Sequence, residues 1–217
     1  MEMGLTGRKA LLSGASKGMG LACAKALSRE GVDVTLVARG LDALNAAADE
    51  IRHETGGEVS TVAADITTEA GRAAALEACP RPDILLNNAG GKKPGDFRDW
   101  DRDEWVSALD LMMLAPIQMM RLTFDGMVER GFGRIINIAA RGVKIPQVEL
   151  GLSNGARTGL VGFSAGLARE GIARNVTINT ILPGIIDSEA QRQHVESLVI
   201  EGGPTFEEIW ELRASKS

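Results

Sequence analysis

The chain has 217 residues, 44% of them hydrophobic and 24% charged, the balance of one globular domain able to bury roughly 70% of its unfolded surface. A net charge of -5, with Lys and Arg scattered rather than clustered, argues against a nucleic-acid partner. No apolar run approaches the roughly 20 residues needed to span a bilayer.

In chain order, short β-rich runs alternate with longer helical patterns. "KALLSG" reads as a strand ending in a glycine turn, and "MGLACAKALSREG" as a helix stopped by Gly31. "DVTLVAR" is the second strand, and "LDALNAAADEIRHETGG" a helix ending at the pair Gly56 and Gly57. "EVSTVAADI" is the third strand, with a helix expected from about 68 to 79, and "DILLNNAGG" is the fourth. A long helix is expected over roughly 102–130, bent by Pro116. "GRIINIAA", "LGLSNGARTGLVGFSAGLAREG" and "NVTINTILPG" follow as strand, helix and strand.

Regular alternation with crossovers of this length predicts α/β class: a Rossmann-like doubly wound parallel sheet with helices on both faces. The strands are continuous apolar runs, as expected when both faces are covered. No linker divides the chain, so a single domain over residues 1–217 is expected. A short polar lead before the first strand does not look like a signal peptide, and a cytoplasmic location is expected. Cys23 and Cys79 lie in apolar helical surroundings and read as packing thiols rather than a disulfide. Cys and His never reach ligand spacing, so no metal site is expected.

"SGASKGMG" places Gly14, Gly18 and Gly20 between the first strand and its helix. The first allows a tight turn, the second lets backbone approach a pyrophosphate, and the third permits close helix–strand packing. Ser16 and Met19 belong to the same turn, and the helix N-terminus beyond it presents free amides and a positive dipole to anionic oxygens. Lys17 lies inside the turn, and Arg39 closes the second strand. An acidic residue at that strand end would bind ribose hydroxyls, whereas arginine suits a 2′-phosphate. The expectation is NADP(H), preferred over NAD(H). Two solvated surface charges are the competing account.

The glycine turn, "AADI", "NNAGG" and the Pro-Gly after the sixth strand together resemble the short-chain dehydrogenase/reductase family. The likeness is to its 3-oxoacyl-carrier-protein reductase-like members and covers about residues 5–188. The resemblance implies that Asp65 and Ile66 border the adenine, that Asn88, Ala89 and Gly90 support cofactor and sheet, and that Ile138 lies beneath the nicotinamide ribose. Pro183, Gly184 and Ile185 would flank the nicotinamide amide. It also implies a homodimer or tetramer built through the two long helices, where Gly155, Gly159 and Gly162 allow close packing.

The family's reaction uses an Asn, a Ser, a Tyr and a Lys. By local alignment, Met112, Ala140, Ser153 and Arg157 hold those four positions, and the chain contains no tyrosine. "LSNGAR", "GDFRDWDR" and "NVTIN" resemble a divergent branch with Ser-x-x-x-Arg in place of Tyr-x-x-x-Lys, in which Asn and Ser are still expected at 112 and 140. A serine hydroxyl is a far weaker acid than a phenol. Arg157 can hold ribose hydroxyls but does not deprotonate. Two substitute acids are available on paper: Lys144 beyond the fifth strand, and His194 in the segment where a lid usually closes. Each competes with the plainer account of a solvated side chain, and His53 at a helix end needs no functional account. The methionines 112, 113, 119, 120 and 127 recur at helical spacing and read as core.

Two functions follow. The first is an NADP(H)-dependent oxidoreductase acting on a carbonyl or alcohol of a small molecule. The alternative is a catalytically silent NADP(H)-binding protein, a sensor or partner subunit; a purely structural dimer would not need Lys17 and Arg39 where they stand.

Overall fold

The apolar runs become six parallel strands, and every one of the six expected strands is present in the computed structural model, which describes residues 3–187, 192, 195–196, 198–200 and 202–215. The chain divides into two compact units, Met1–Leu182 and Pro183–Ser217. In the first, strands β1 (Lys9–Ser13), β2 (Asp33–Ala38), β3 (Val59–Ala63), β4 (Ile84–Asn88), β5 (Gly133–Ile138) and β6 (Val176–Ile181) alternate with helices α1 (Gly18–Arg29), α2 (Leu41–Thr55), α3 (Glu69–Ala78), α4 (Arg102–Leu109), α5 (Ala115–Arg130) and α6 (Gly151–Gly171). The sheet order is β3-β2-β1-β4-β5-β6, parallel throughout. The chain therefore turns back between β1 and β4, and the crevice at the carboxyl ends of these strands is where such folds bind ligands.

Alternate residues of the strands feed two cores. Ala10, Leu12, Leu36, Ile84 and Leu86 pack with Ala24, Leu44 and Ile51 on one face. Leu11, Val37, Leu85 and Ile135 pack with Met119, Met120, Met127 and Leu160 on the other. Burying a side chain of this size contributes roughly 1.5–3 kcal/mol. The methionines expected as core are so: Met112, Met119, Met120 and Met127 are fully buried and Met113 packs against them. Cys79 is buried and Cys23 half-buried, and both are free thiols.

Local chemistry sets the helix ends. Thr68 accepts the Gly71 N–H at 3.0 Å and Asp101 the Glu104 N–H at 2.9 Å, each capping the helix that follows. Gly56 and Gly131 end α2 and α5 in the left-handed region, with φ of 69° and 66°.

The expectation of one long helix bent at Pro116 is corrected. Pro116 sits in the first turn of α5, and the irregularity precedes it as a π-helical turn, Asp110–Leu114. Pro116 has no N–H to give to the Met112 carbonyl, and the ladder widens so that the Ala115 N–H reaches back five residues to the Asp110 carbonyl. The wide turn directs Met112 into a small third cluster with Ala108, Leu152 and Ala156, beside Trp100 and Trp105. The α6 glycines make room for this cluster. A methyl on Gly155 would come within 3.0 Å of the Trp105 ring and one on Gly159 within 2.5 Å of Met113 Sδ, whereas Gly162 faces open space.

The second unit holds helix α7 (Phe206–Ala214), opened by a capping box between Thr205 and Glu208. Phe206 and Trp210 stack within it, with ring centroids 5.8 Å apart. Pro183, Gly184 and Ile185 belong to this unit, and His194 lies outside the described residues.

Candidate functional site

The first turn after β1 is shaped by glycine where nothing else fits. Gly14 has φ +58°, and a methyl there would lie 2.5 Å from the Asn88 carbonyl oxygen. One on Gly20 would lie 2.3 Å from the Gly14 carbonyl oxygen, so helix α1 can rest directly on the turn. Gly18 is different: its φ is +57°, yet a methyl would meet nothing within 4 Å. Its backbone therefore borders open space at the start of α1, where Lys17 provides no side-chain cap to the first amides. Asn88, at the end of β4, fixes the turn by donating from Nδ2 to the Gly14 carbonyl at 2.9 Å, while its own N–H donates to Ser13 Oγ at 3.1 Å. Ser16 and Met19 are half-buried in the turn, and Lys17 is exposed.

A cavity of about 470 Å³ is lined by Arg39 just past β2, by Asp65 and Thr67 beyond β3, by Lys92 beyond β4 and by Asp103, Val106, Ser107, Asp110 and Leu111 on the helix side, so that three carboxylates share its wall with two cations. Asp65 accepts the Thr67 N–H at 2.9 Å and the Thr67 hydroxyl at 2.8 Å on one oxygen. These two bonds, with the charge of Arg39 adding to them, hold its carboxyl below the ordinary aspartate range. Ile66 is buried beside it. Lys92 was not singled out by the sequence reading. Its ammonium donates to Ser107 Oγ at 2.7 Å, and only its place two residues after the Asn-Asn-Ala-Gly turn hints at a role. A smaller cavity of about 230 Å³ lies at the other end of the strands, lined by Lys9, Asp33, Thr35, Glu58 and Cys79, away from the crevice.

Along the crevice, Arg157 is the dominant polar group. It is buried, 7% exposed, and joins three elements. Nε donates to Ser153 Oγ at 3.2 Å, Nη1 to the Ile138 carbonyl at 2.8 Å and Nη2 to the Ala89 carbonyl at 3.1 Å. Its partners are neutral, and burial pushes its pKa down from the usual arginine value, although a guanidinium remains charged in a protein. Seven residues further along α6, Ser164 continues the same face, accepting from Asn137 Nδ2 at 2.9 Å while Asn87 Nδ2 donates to Asn137 Oδ1 at 2.9 Å. These buried amides are paired in register on β4 and β5. Helix α6 is thus tied to β5 through Ser164, and to the end of β5 and the residue after β4 through Arg157.

Of the four positions aligned with the family's reacting group, Ser153 and Arg157 touch each other, and Ala140 follows β5 with only a methyl to offer. Met112 is buried in its apolar cluster rather than presenting a polar group. Lys144 is exposed in the segment after β5. Gly90 is exposed after β4 with open space above its Cα. Among the described residues no cluster of three or more His, Cys, Asp or Glu side chains can hold a metal ion, and no helix is long and apolar enough to cross a membrane.

The short chain dehydrogenase family model matches residues 8–198. The uncharacterised oxidoreductase YvaG of Bacillus subtilis is 31% identical over 91% of this chain and 75% of its own length. L-sorbose reductase from Gluconobacter frateurii, solved with NADPH and L-sorbose, superposes with a TM-score of 0.90 at 32% identity, over 95% of this chain and 80% of that one. Actinorhodin polyketide ketoreductase with NADPH gives 0.83 at 29% identity, over 96% and 81%. The glycine turn held by Asn88, the sheet order with its reversal between β1 and β4, and these matches lead to one statement: the chain belongs to the short-chain dehydrogenase family.

Proposed function

We propose that this oxidoreductase-family chain binds NADP(H) and reduces a carbonyl, or oxidises the corresponding alcohol, of a small molecule. The observation that carries the cofactor half is Arg39, just past β2 in the wall of the cavity of about 470 Å³, together with the open glycine turn after β1. The residues present fit such a cofactor. Gly18 leaves space for a diphosphate against uncapped α1 amides, with Gly14, Ser16, Met19 and Gly20 shaping the turn. Lys17 and Arg39 supply charge for a 2′-phosphate. Asp65 and Ile66 would border the adenine, and Asn88, Ala89, Gly90, Ile138 and Arg157 the nicotinamide ribose, with Pro183, Gly184 and Ile185 expected at its amide. NADPH is also what two similar solved reductases carry.

When bound, the cofactor supplies or accepts a hydride. The protein's share is orientation and a hydrogen bond to the substrate oxygen. Ser153 is suited to this, because its oxygen already accepts from Arg157 Nε and its own proton is left to donate. The fixed charge of Arg157 beside it stabilises negative charge developing on that oxygen, a contribution that does not titrate near neutral pH. Neither Met112 nor Ala140 assists. Lys144, exposed after β5, is a substitute acid in this reading. Self-association through α5 and α6 belongs to the same proposal, since Leu122 and Phe163 leave apolar surface exposed on these helices.

A second reading has its own observation. Arg157 has three of its donors committed to the protein, and the two positions that would complete a proton relay are apolar. A silent NADP(H)-binding sensor or partner subunit would look the same. Titration with NADPH and NADH by fluorescence, followed by oxidation assays over a carbonyl panel, separates the possibilities. Tighter NADPH binding with turnover is expected. Equal or tighter NADH binding removes the cofactor assignment, and binding without turnover leaves the sensor.

A further inference from the structure

The loops that follow β4 and β5 are joined to each other and to the turn of α6 that carries Ser153. The Gly95 N–H donates to the Glu149 carbonyl at 2.9 Å. The Trp100 ring packs against both the first loop and the helix: a methyl on Gly95 would come within 3.0 Å of its Nε1, and one on Gly151 within 2.6 Å of its Cζ3. Asn154, next to Ser153, donates from Nδ2 to the Gln147 carbonyl at 2.7 Å, and its Oδ1 stands where a side chain on Gly142 would have to go. The segment 141–150 is therefore gripped at its start, middle and end, and it forms one rim with 91–99.

This rim leaves apolar groups in the open. Phe97 is 54% exposed, Ile145 63% and Val148 75%, among the most exposed large hydrophobic side chains of the first unit. One exposed apolar residue is ordinary, whereas three on two joined loops are not a scatter. Nor are they loosely held. Asp96 accepts the Arg98 N–H at 2.9 Å in a turn that presents Phe97, and the Arg98 guanidinium lies 4.5 Å from the centre of its ring. Pro146 stiffens the chain between Ile145 and Val148. A stable protein interface needs about 800 Å² on each partner, and here the exposed Arg98, Lys144 and Glu149 interrupt the apolar surface at close intervals. The rim suits a small molecule instead, since such sites are mostly apolar with a few placed polar groups. Ser153 and Arg157 are those groups.

We propose that the carbonyl compound received at Ser153 carries an apolar arm, a hydrocarbon chain of several carbons, which lies on this rim against Phe97, Ile145 and Val148. The proposal rests on the oxidoreductase reading above and goes beyond it by naming the substrate class and the side chains that select it. A polyhydroxylated ketone would set its hydroxyls against these three side chains, which offer no hydrogen-bond partner.

Titration of the full chain with 2-butanone, 2-hexanone, 2-octanone and L-sorbose, with and without NADPH and followed by tryptophan fluorescence, tests this, because Trp100 is packed into the rim. A fully buried methylene contributes about fourfold in affinity, and one covered on a single face about twofold. 2-Octanone is therefore expected to bind at least about tenfold tighter than 2-butanone, and tighter than L-sorbose by a similar margin. Ile145→Ser and Val148→Ser combined in one variant should weaken 2-octanone by about fivefold or more and leave 2-butanone within about twofold. Ile172→Ser, as exposed as Ile145 but beyond the far end of α6, should change neither. No saturable binding of 2-octanone, affinity that does not rise with chain length, L-sorbose as tight as 2-octanone, or a length dependence that survives in the rim variant overturns the proposal. Consumption of NADPH with the same compounds reads the oxidoreductase assignment separately. Turnover without preference for the longer chains keeps that assignment and removes the apolar arm. Graded binding without NADPH consumption removes the assignment and keeps the rim as the ligand's site.

Discussion

Replacing Arg157 by Met keeps a long side chain on the buried face of α6 and deletes its three donated hydrogen bonds. Two of those go to main-chain carbonyls, Ile138 at 2.8 Å at the end of β5 and Ala89 at 3.1 Å just past β4. Hydrogen bonds to charged groups contribute about 1.5–3 kcal/mol each after desolvation is counted, and an orphaned buried acceptor costs about 1–3 kcal/mol. The two bonds share one guanidinium and do not add fully. Removing a buried cation whose hydrogen-bond partners are all neutral also returns part of its desolvation cost. A net loss of about 3 kcal/mol follows, and for a chain of this length that lowers the melting temperature by about 6–12 °C. Arg157→Lys should fall between, because one ammonium at the end of a thinner stem does not span both strand ends as the fork does. Thermal denaturation followed by circular dichroism reads the effect. A melting temperature for Arg157→Met equal to or above that of the parent would refute the view that this arginine ties the two strands together.

Two further predictions concern the nucleotide end. Gly14 and Gly18 have nearly the same positive φ, +58° and +57°, but only Gly14 faces a backbone clash, at 2.5 Å. Alanine at either site costs about 1–2 kcal/mol of backbone strain, and Gly14→Ala should cost about 1–3 kcal/mol more from overpacking. Urea denaturation of the pair measures the difference, and equal losses would mean that the contact with Asn88 is relieved without cost. For Asp65, hydrogen bonds from Thr67 depress the folded-state pKa, so its stabilisation is complete above the ordinary aspartate range and is lost as pH falls through the lower folded value. Asp65→Asn should therefore lower stability at pH 7 by about 1 kcal/mol, with the gap to the parent closing below about pH 3.9. A gap that stays constant down to pH 2.5 counts against the charge being what Thr67 stabilises.

Much of the candidate site is legible along the chain because its signals are local. The three glycines of "SGASKGMG", Arg39 at a strand end and the absent tyrosine each depend on a few neighbouring residues. The glycines occupy conformations or contacts that a side chain would strain, so their spacing carries geometry directly. Lys92 was missed because a loop lysine is most often solvated, and nothing in "GGKKPG" says that it lines a cavity with Arg39, far away in sequence. The π-helical turn was missed for a related reason. A proline announces a lost donor, but not whether the helix bends there or widens just before it.

By itself, then, the sequence determined the six strands, the alternation that makes the sheet parallel, the glycine turn after β1 and the residue types at Met112, Ala140, Ser153 and Arg157. These follow from apolar period, glycine placement and residue identity, which act over a single turn or strand. Only the tertiary structure decided what those side chains touch. Arg157 bonds to carbonyls 19 and 68 residues away, and Asn87 meets Asn137 across 50 residues. Met112 is turned into an apolar cluster shared by α4 and α6. Such partners are set by how helices and strands stack, and that depends on the packing of the whole core rather than on any stretch of the chain.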